Sequence, residues 1–319
     1  MWDELPFSDE EDDPRLSGHS HAGRTREREI LAAVDGPGEE ITWSDILSNY
    51  DYYISKEFDS VKRKCREGIP PEVRPEAWFW LSGGRNAMEE NPNLFPRLME
   101  KNVSEKINVD IKKDLHRLFP HHVLFADNRP GQKQLLAILQ VYSVYNQKSG
   151  YCQDQGPVVG FILTHMKLSH TTFYTFVAIC EDFLASYHNP DPERFQQDGN
   201  ILYHFLEKFS PVSYQHLADQ GIDPILFIPE WYTCVYTRTL PPESLVRVWD
   251  MVLCEGFPVI LKVALALIKG CFENSSIRKR CSTMHESLEV LKNLPHEIID
   301  AETLMAEVRR IDLRPQGYH

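Results

Sequence analysis

From Ile41 onward the apolar residues of this chain recur every three or four positions, and this period restricts its fold more than any other feature. Residues 43–54 carry their apolar side chains on one helical face, so we expect one amphipathic helix there. The same period predicts helices over 73–81, 94–99, 104–118, 173–184, 202–209, 284–294 and 301–311. No alternating run bounded by turn residues predicts a strand. The sequence therefore predicts an all-α domain over about residues 41–312.

Proline and glycine residues also predict the ends of two helices. Pro241-Pro242 is typical of a helix start, and Gly256 is typical of its end. A further helix is expected to begin near Arg129-Pro130 and to end at Gly150.

The two ends of the chain differ from this helical region. Residues 1–40 contain twelve Asp or Glu and four Arg, which is −8 of the net charge of −13. Their low apolar content predicts a disordered acidic tail, and residues 313–319 are expected to form a second, short tail. An acidic protein repels phosphate backbones and anionic lipid, so we expect no nucleic-acid partner and only indirect contact with membranes, through a partner protein.

Cysteine usage and the absence of targeting signals point to a cytoplasmic protein. The seven cysteines are scattered, odd in number and contain no CxxC pair, which favours reduced thiols. The N-terminus lacks a signal-peptide pattern, and no apolar stretch is long enough to span a bilayer.

Common catalytic and metal-binding motifs are absent. The chain has no phosphate-binding loop, no dinucleotide fingerprint, no nucleophile elbow and no HExxH zinc motif. The histidines lack the neighbours of a zinc site, and Cys152 has no identifiable base that would make it a nucleophile.

Two short polar clusters remain, at residues 111–120 and 150–157. In the first, Ile111, Asp114 and Arg117 would share one face of a helix, where Asp114 can brace Arg117 by an i,i+3 ion pair. The second is a break between helices that places polar amides beside Tyr151. Each cluster alone also fits an ordinary solvated face or loop.

Taken together, four ordered blocks within residues 60–280 resemble the TBC domain, the family of Rab GTPase-activating proteins. The first is Gly68-Ile69-Pro70 with Arg74 and Trp78, and the second is Ile111, Asp114 and Arg117 followed by Phe119-Pro120. The third is Tyr151-Cys152-Gln153, and the fourth is Leu240-Pro241 with Arg247-Val248-Trp249-Asp250 and Glu255-Gly256. The third block is most similar to that of the subgroup containing Carabin and Whacked.

The resemblance implies a bilobed, all-helical domain that binds a Rab GTPase in its GTP-bound form and serves vesicle traffic. It implies that Arg117 is an arginine finger and Gln153 a glutamine finger. It also implies that the protein carries no cofactor, since GTP and Mg²⁺ arrive with the Rab. By this resemblance Asp114 and Tyr151, with the neighbouring Asp154, would lie around the two fingers or at the interface. The resemblance assigns to the framework the residues Arg74, Trp78, Arg247, Trp249 and Asp250.

Asp154 departs from the family pattern, which usually has Gly after the glutamine. A carboxylate near the γ-phosphate would oppose the negative charge there. A second hypothesis is therefore a catalytically weak module that binds a small GTPase or a membrane-traffic partner. A third is a helical scaffold unrelated to GTPases.

Overall fold

The computed structural model describes residues 41–115, 117–119, 122–125, 129–188 and 192–313. These ranges contain twenty α-helices and no strand, so the predicted all-α fold class is confirmed. The expected acidic tail at 1–40 and residues 314–319 of the expected C-terminal tail lie outside the described residues.

Ten of the helices precede residue 180. They are α1 Trp43–Ser48, α2 Tyr50–Lys56, α3 Phe58–Glu67, α4 Arg74–Leu81, α5 Gly84–Glu90, α6 Leu94–Met99, α7 Glu105–Leu115, α8 Pro130–Tyr145, α9 Gln155–Met166 and α10 Ser169–Ile179.

A π-helical turn at Cys180–Leu184 leads into the other ten. They are α11 Ala185–His188, α12 Pro192–Phe209, α13 Pro211–Asp219, α14 Ile228–Tyr232, α15 Pro242–Glu255, α16 Phe257–Glu273, α17 Ser275–Arg280, α18 Met284–Lys292, α19 His296–Ile299 and α20 Ala301–Arg310.

Two predicted helices are shorter or more divided than their apolar pattern suggested. The helix expected over residues 43–54 is two helices, α1 and α2, because Asn49 leaves the helical region at φ −138° and ψ 51°. The helix expected to reach residue 118 ends at Leu115. Arg117 consequently lies in the turn after α7 rather than on the helix.

The predicted helix end at Gly150 is also wrong. Helix α8 ends at Tyr145, and the Asn146 side chain then accepts a hydrogen bond from the Ser149 amide at 3.1 Å. This local side-chain bond competes with the helical pattern, so the chain turns five residues earlier than predicted.

The helices pack into two groups. In the first, α8, α9 and α10 pack against one another and are covered by α5, α6 and α7. In the second, α12 to α15 and α17 to α20 surround α16. Eleven residues of α16 are buried, and they lie on all sides of the helix, as expected of a helix at the centre of a core. Within the described ranges no helix is long and apolar enough to cross a membrane.

A buried polar joint around Asp250 of α15 connects the second group to helix α4, which also packs on α9 and α10 of the first group. Its carboxylate accepts hydrogen bonds from the Ile69 amide at 2.8 Å, from Arg74 Nε at 3.1 Å and from Trp78 Nε1 at 2.7 Å. Burial raises the pKa of Asp250, while Arg74 and these N–H donors lower it. The four residues come from the first and fourth sequence blocks, so these blocks meet in the core and hold α4 against α15.

Gly68 has a backbone requirement at this joint. Its φ is +103°, and a Cβ atom there would lie 2.8 Å from Nε of Arg247. Arg247 donates instead to the Arg66 carbonyl at 3.1 Å and to Glu302 at 3.2 Å. Only glycine provides both the left-handed backbone and the close approach of the arginine.

Candidate functional site

The turn after α7 presents Arg117 to solvent. The Arg117 amide donates to the Asp114 carbonyl at 2.9 Å, and this bond closes the turn directly beyond the helix. The Arg117 side chain is 73% exposed, and its guanidinium lies 3.9 Å from the Asp114 carboxylate. At this distance the carboxylate holds the guanidinium loosely, so Arg117 is available to an external anion.

Two residues that follow Arg117 are seated tightly on helix α9. Phe119 has a left-handed backbone at φ 52° and stacks on Phe125 with ring centroids 4.9 Å apart. A Cβ atom on Gly160 would lie 2.2 Å from the Phe119 ring, and one on Gly156 would lie 2.5 Å from Leu118. The two glycines therefore form the seat on which residues 117–119, the arginine turn, rest.

The second polar cluster lies in the loop between α8 and α9, residues 146–154, and this glutamine loop presents Gln153. Gln153 is exposed, whereas Gln155 is fully buried. Gln155 donates its side-chain amide to the Gly150 carbonyl at 3.4 Å, and its backbone amide donates to the Cys152 carbonyl at 3.1 Å. The loop is thus closed from inside by Gln155, and Gln153 faces outward.

One carboxylate joins the two clusters. The Tyr151 hydroxyl donates to Asp114 Oδ2 at 2.8 Å, while Oδ1 of the same carboxylate faces Arg117 at 3.9 Å. Burial and this hydrogen bond to Asp114 raise the pKa of Tyr151, so its hydroxyl stays protonated and continues to donate. Asp114 therefore connects the arginine turn to the glutamine loop. Its contact with Tyr151 joins residues that are 37 positions apart.

Asp154 is paired with an arginine that the sequence did not single out. Nη1 of Arg238 donates to Asp154 Oδ1 at 2.7 Å, and Nη2 donates to the Gln153 carbonyl at 3.4 Å. Arg238 lies two residues before the Leu240-Pro241 block, but a lone arginine gives no sequence signal. Only the folded chain places it beside the glutamine loop.

Neighbouring titratable groups do not form a nucleophile or a metal centre. Burial raises the pKa of Cys152 to about 11, so its thiol is protonated at neutral pH. Burial lowers the pKa of His165 to about 4, and its neutral ring packs against Trp78 and Phe161. In the part of the chain that the structure describes, no cluster of His, Cys, Asp and Glu could hold a metal ion.

Comparison with known families and proteins identifies the relatives of this chain. A model of the Rab-GTPase-TBC domain matches residues 71–275. The fly protein TBC1 domain family member whacked (Drosophila melanogaster) is 38% identical over 91% of this chain and 80% of its own length. Mouse Carabin (Mus musculus) is 33% identical over 86% of this chain and 62% of its own length. Across the first relatives of this kind, the chain spans between 34% and 80% of their lengths.

A solved structure agrees in fold. The Chlamydomonas flagellar RabGAP TBC domain superposes with a TM-score of 0.69 and covers 91% of this chain and 94% of its own. Its sequence identity is 24%, so it supports the helical fold alone.

Proposed function

The chain belongs to the Rab-GTPase-TBC domain family, and from this premise we propose that it accelerates GTP hydrolysis by a Rab-type GTPase through Arg117 and Gln153. The observation that carries this proposal is the Asp114 bridge, which joins the exposed arginine turn to the exposed glutamine loop.

Arg117 would stabilise the charge that develops on the transferred phosphoryl group. A guanidinium is always charged, and its planar fork contacts two oxygens at once. The loose contact with Asp114 keeps the guanidinium near its working position without neutralising it in a tight pair. An arginine finger typically adds about 10³ to 10⁵ in rate, or roughly 4 to 7 kcal/mol of transition-state stabilisation.

Gln153 would orient the attacking water. Its side-chain carbonyl accepts a hydrogen bond from water and its amide donates one, and neither group titrates near neutral pH. The outward orientation of Gln153, with Gln155 closing the loop from inside, supports this assignment over one for Gln155.

The partner would be a GTP-bound Rab, which brings the nucleotide and Mg²⁺. In this proposal the chain supplies side chains only and holds no cofactor of its own. Contact with membranes would be made by the Rab.

Single-turnover phosphate release from a panel of GTP-loaded Rabs tests the proposal. We expect Arg117→Ala and Gln153→Ala each to lower the stimulated rate by about 10³ or more, because each removes a group that acts only in the transition state. Thermal melting should be unchanged, since both side chains are exposed.

Matched controls separate this outcome from general damage. Arg85 and Gln215 are also surface residues, on α5 and α13, so Arg85→Ala and Gln215→Ala should keep the full rate. Full activity of both finger variants would refute the assignment. Tight binding to GTP-loaded Rab without acceleration would favour the binding-module hypothesis.

A further inference from the structure

The segment that carries Arg238 is built in an unusual way. Val235 and Tyr236 are consecutive non-glycine residues with left-handed backbones, at φ 47° and 60°. A β-branched residue in this region is a true outlier, and such strain persists only where surrounding contacts enforce it.

Buried hydrogen bonds enforce this backbone. Trp249 donates its indole N–H to the Val235 carbonyl at 3.1 Å, and the Tyr236 hydroxyl donates to the Ile260 carbonyl at 2.8 Å. Trp249 and Tyr236 are completely buried, so the segment is anchored to α15 and α16. The fixed backbone then directs residues on both sides of this pair toward the glutamine loop.

Two residues of this segment contact the loop. The Cys234 thiol lies 3.7 Å from the Asp154 carbonyl and donates to it, and burial raises the pKa of Cys234 to about 12. Arg238 contacts the Asp154 carboxylate at 2.7 Å and the Gln153 carbonyl at 3.4 Å. Arg238 and Cys234 therefore hold the loop at Gln153 itself, through its backbone carbonyl, and at the next residue, Asp154.

We propose that Arg238 is a positioning residue: it fixes Gln153 through its backbone carbonyl and neutralises the adjacent Asp154 carboxylate. The inference rests on the proposed function of Gln153. It explains how a carboxylate is tolerated one residue after the glutamine, because its charge is matched by a guanidinium instead of facing a γ-phosphate alone.

The two roles of Arg238 predict a specific pattern of variants in single-turnover hydrolysis. Arg238→Ala leaves Asp154 unpaired and should lower the maximal rate at least tenfold, with less effect on the half-saturating concentration. Asp154→Ala should stay within about threefold of wild type. The double variant removes the free carboxylate as well, so it should recover several-fold relative to Arg238→Ala.

The kinetic results decide between positioning and other roles. A wild-type rate for Arg238→Ala, or a double variant no faster than Arg238→Ala, would overturn the proposal. An effect confined to the half-saturating concentration would also overturn it, since Arg238 would then be a contact residue for the Rab.

Backbone amide exchange of residues 151–155 in the full chain provides a readout that needs no Rab. Exchange should be faster in Arg238→Ala than in wild type and should be largely restored in Arg238→Lys, which keeps the charge. Lys269→Ala breaks an ion pair of similar exposure between α16 and α20 and should leave this exchange unchanged. Unchanged exchange in Arg238→Ala would show that Arg238 does not hold the glutamine loop in place. If wild type stimulates no Rab but Arg238→Ala still loosens the loop, the proposed function fails while the positioning contact stands.

Discussion

At the scale of single residues, the candidate site depends on how one carboxylate is shared. Asp114 faces both Tyr151 and Arg117, but only Tyr151 makes a short contact, at 2.8 Å against 3.9 Å. The hydrogen bond from Tyr151 fixes the Asp114 carboxylate at a position too far from Arg117 for a hydrogen bond between them. A guanidinium in a tight pair would have to break it before it could bind phosphate oxygens.

Tyr151→Phe tests this sharing. Without the hydroxyl, Asp114 is free to close on Arg117, so we expect the stimulated rate of GTP hydrolysis to fall by about tenfold, equivalent to roughly 1.4 kcal/mol. Stability should change by only about 1 kcal/mol, the usual net value of one hydrogen bond. Phosphate release and urea unfolding measure the two effects.

Tyr203→Phe is the matched control for this variant. The Tyr203 hydroxyl donates to the Ile222 carbonyl in another part of the chain, so its loss should leave the rate unchanged. Wild-type activity of both Tyr151→Phe and Tyr203→Phe would show that the Tyr151–Asp114 hydrogen bond has no role in the reaction.

At the scale of elements, helix α9 connects the arginine turn and the glutamine loop. The helix begins two residues after Gln153, and its glycines at 156 and 160 receive Leu118 and Phe119 from the arginine turn. The arginine turn therefore packs on a glycine face of α9, and the glutamine loop leads into the start of the same helix. The positions of both segments depend on this helix.

Gly160→Ala tests this seat. Alanine in place of glycine usually stabilises a helix interior by about 0.5–1 kcal/mol. Here the added methyl group would lie 2.2 Å from the Phe119 ring, so we expect a loss of about 1–3 kcal/mol in the free energy of unfolding and at least a tenfold lower stimulated rate. Urea unfolding and phosphate release measure these changes.

A compensating change makes this prediction specific. Phe119→Leu combined with Gly160→Ala shortens the side chain that meets the new methyl group and should recover part of the lost activity. Wild-type stability and activity in Gly160→Ala alone would show that the turn does not rest on this face.

At the scale of the whole molecule, the joint at Asp250 holds the first and fourth sequence blocks together. Its carboxylate is completely buried and accepts hydrogen bonds from N–H groups of three residues. The hydrophobic neighbours of the joint include Trp78, Phe161 and Trp249, whose rings pack at centroid distances of 5.1 to 5.9 Å.

Asp250→Ala should therefore destabilise the entire domain. The substitution leaves the Arg74 guanidinium buried without its carboxylate, which typically costs about 3–5 kcal/mol. Urea unfolding monitored by tryptophan fluorescence measures this loss. Glu302→Ala breaks the exposed end of the Arg247 pair and should cost no more than about 1 kcal/mol. Similar losses for the two variants would contradict the assigned importance of the buried joint.

The sequence by itself determined the helical character of the chain. Apolar period fixes helices because burial selects one face at 3.6 residues per turn, and α6 over Leu94–Met99 has the predicted bounds. Local rules failed at Asn49 and Arg117, where the chain leaves the helix before the apolar pattern ends, and at Asn146, where a side chain competes for a backbone amide. The four ordered blocks also carried the family resemblance, and with it the choice of Arg117 and Gln153.

Only the tertiary structure decided which residues meet. The Asp114–Tyr151 bond, the seat of Phe119 on Gly160 and the grip of Arg238 on Asp154 join positions 37, 41 and 84 residues apart. Contacts at such separations depend on how helices pack, which local periodicity does not encode. The sequence therefore supplied the candidate side chains. Packing placed the arginine turn beside the glutamine loop and paired the Asp154 carboxylate with Arg238.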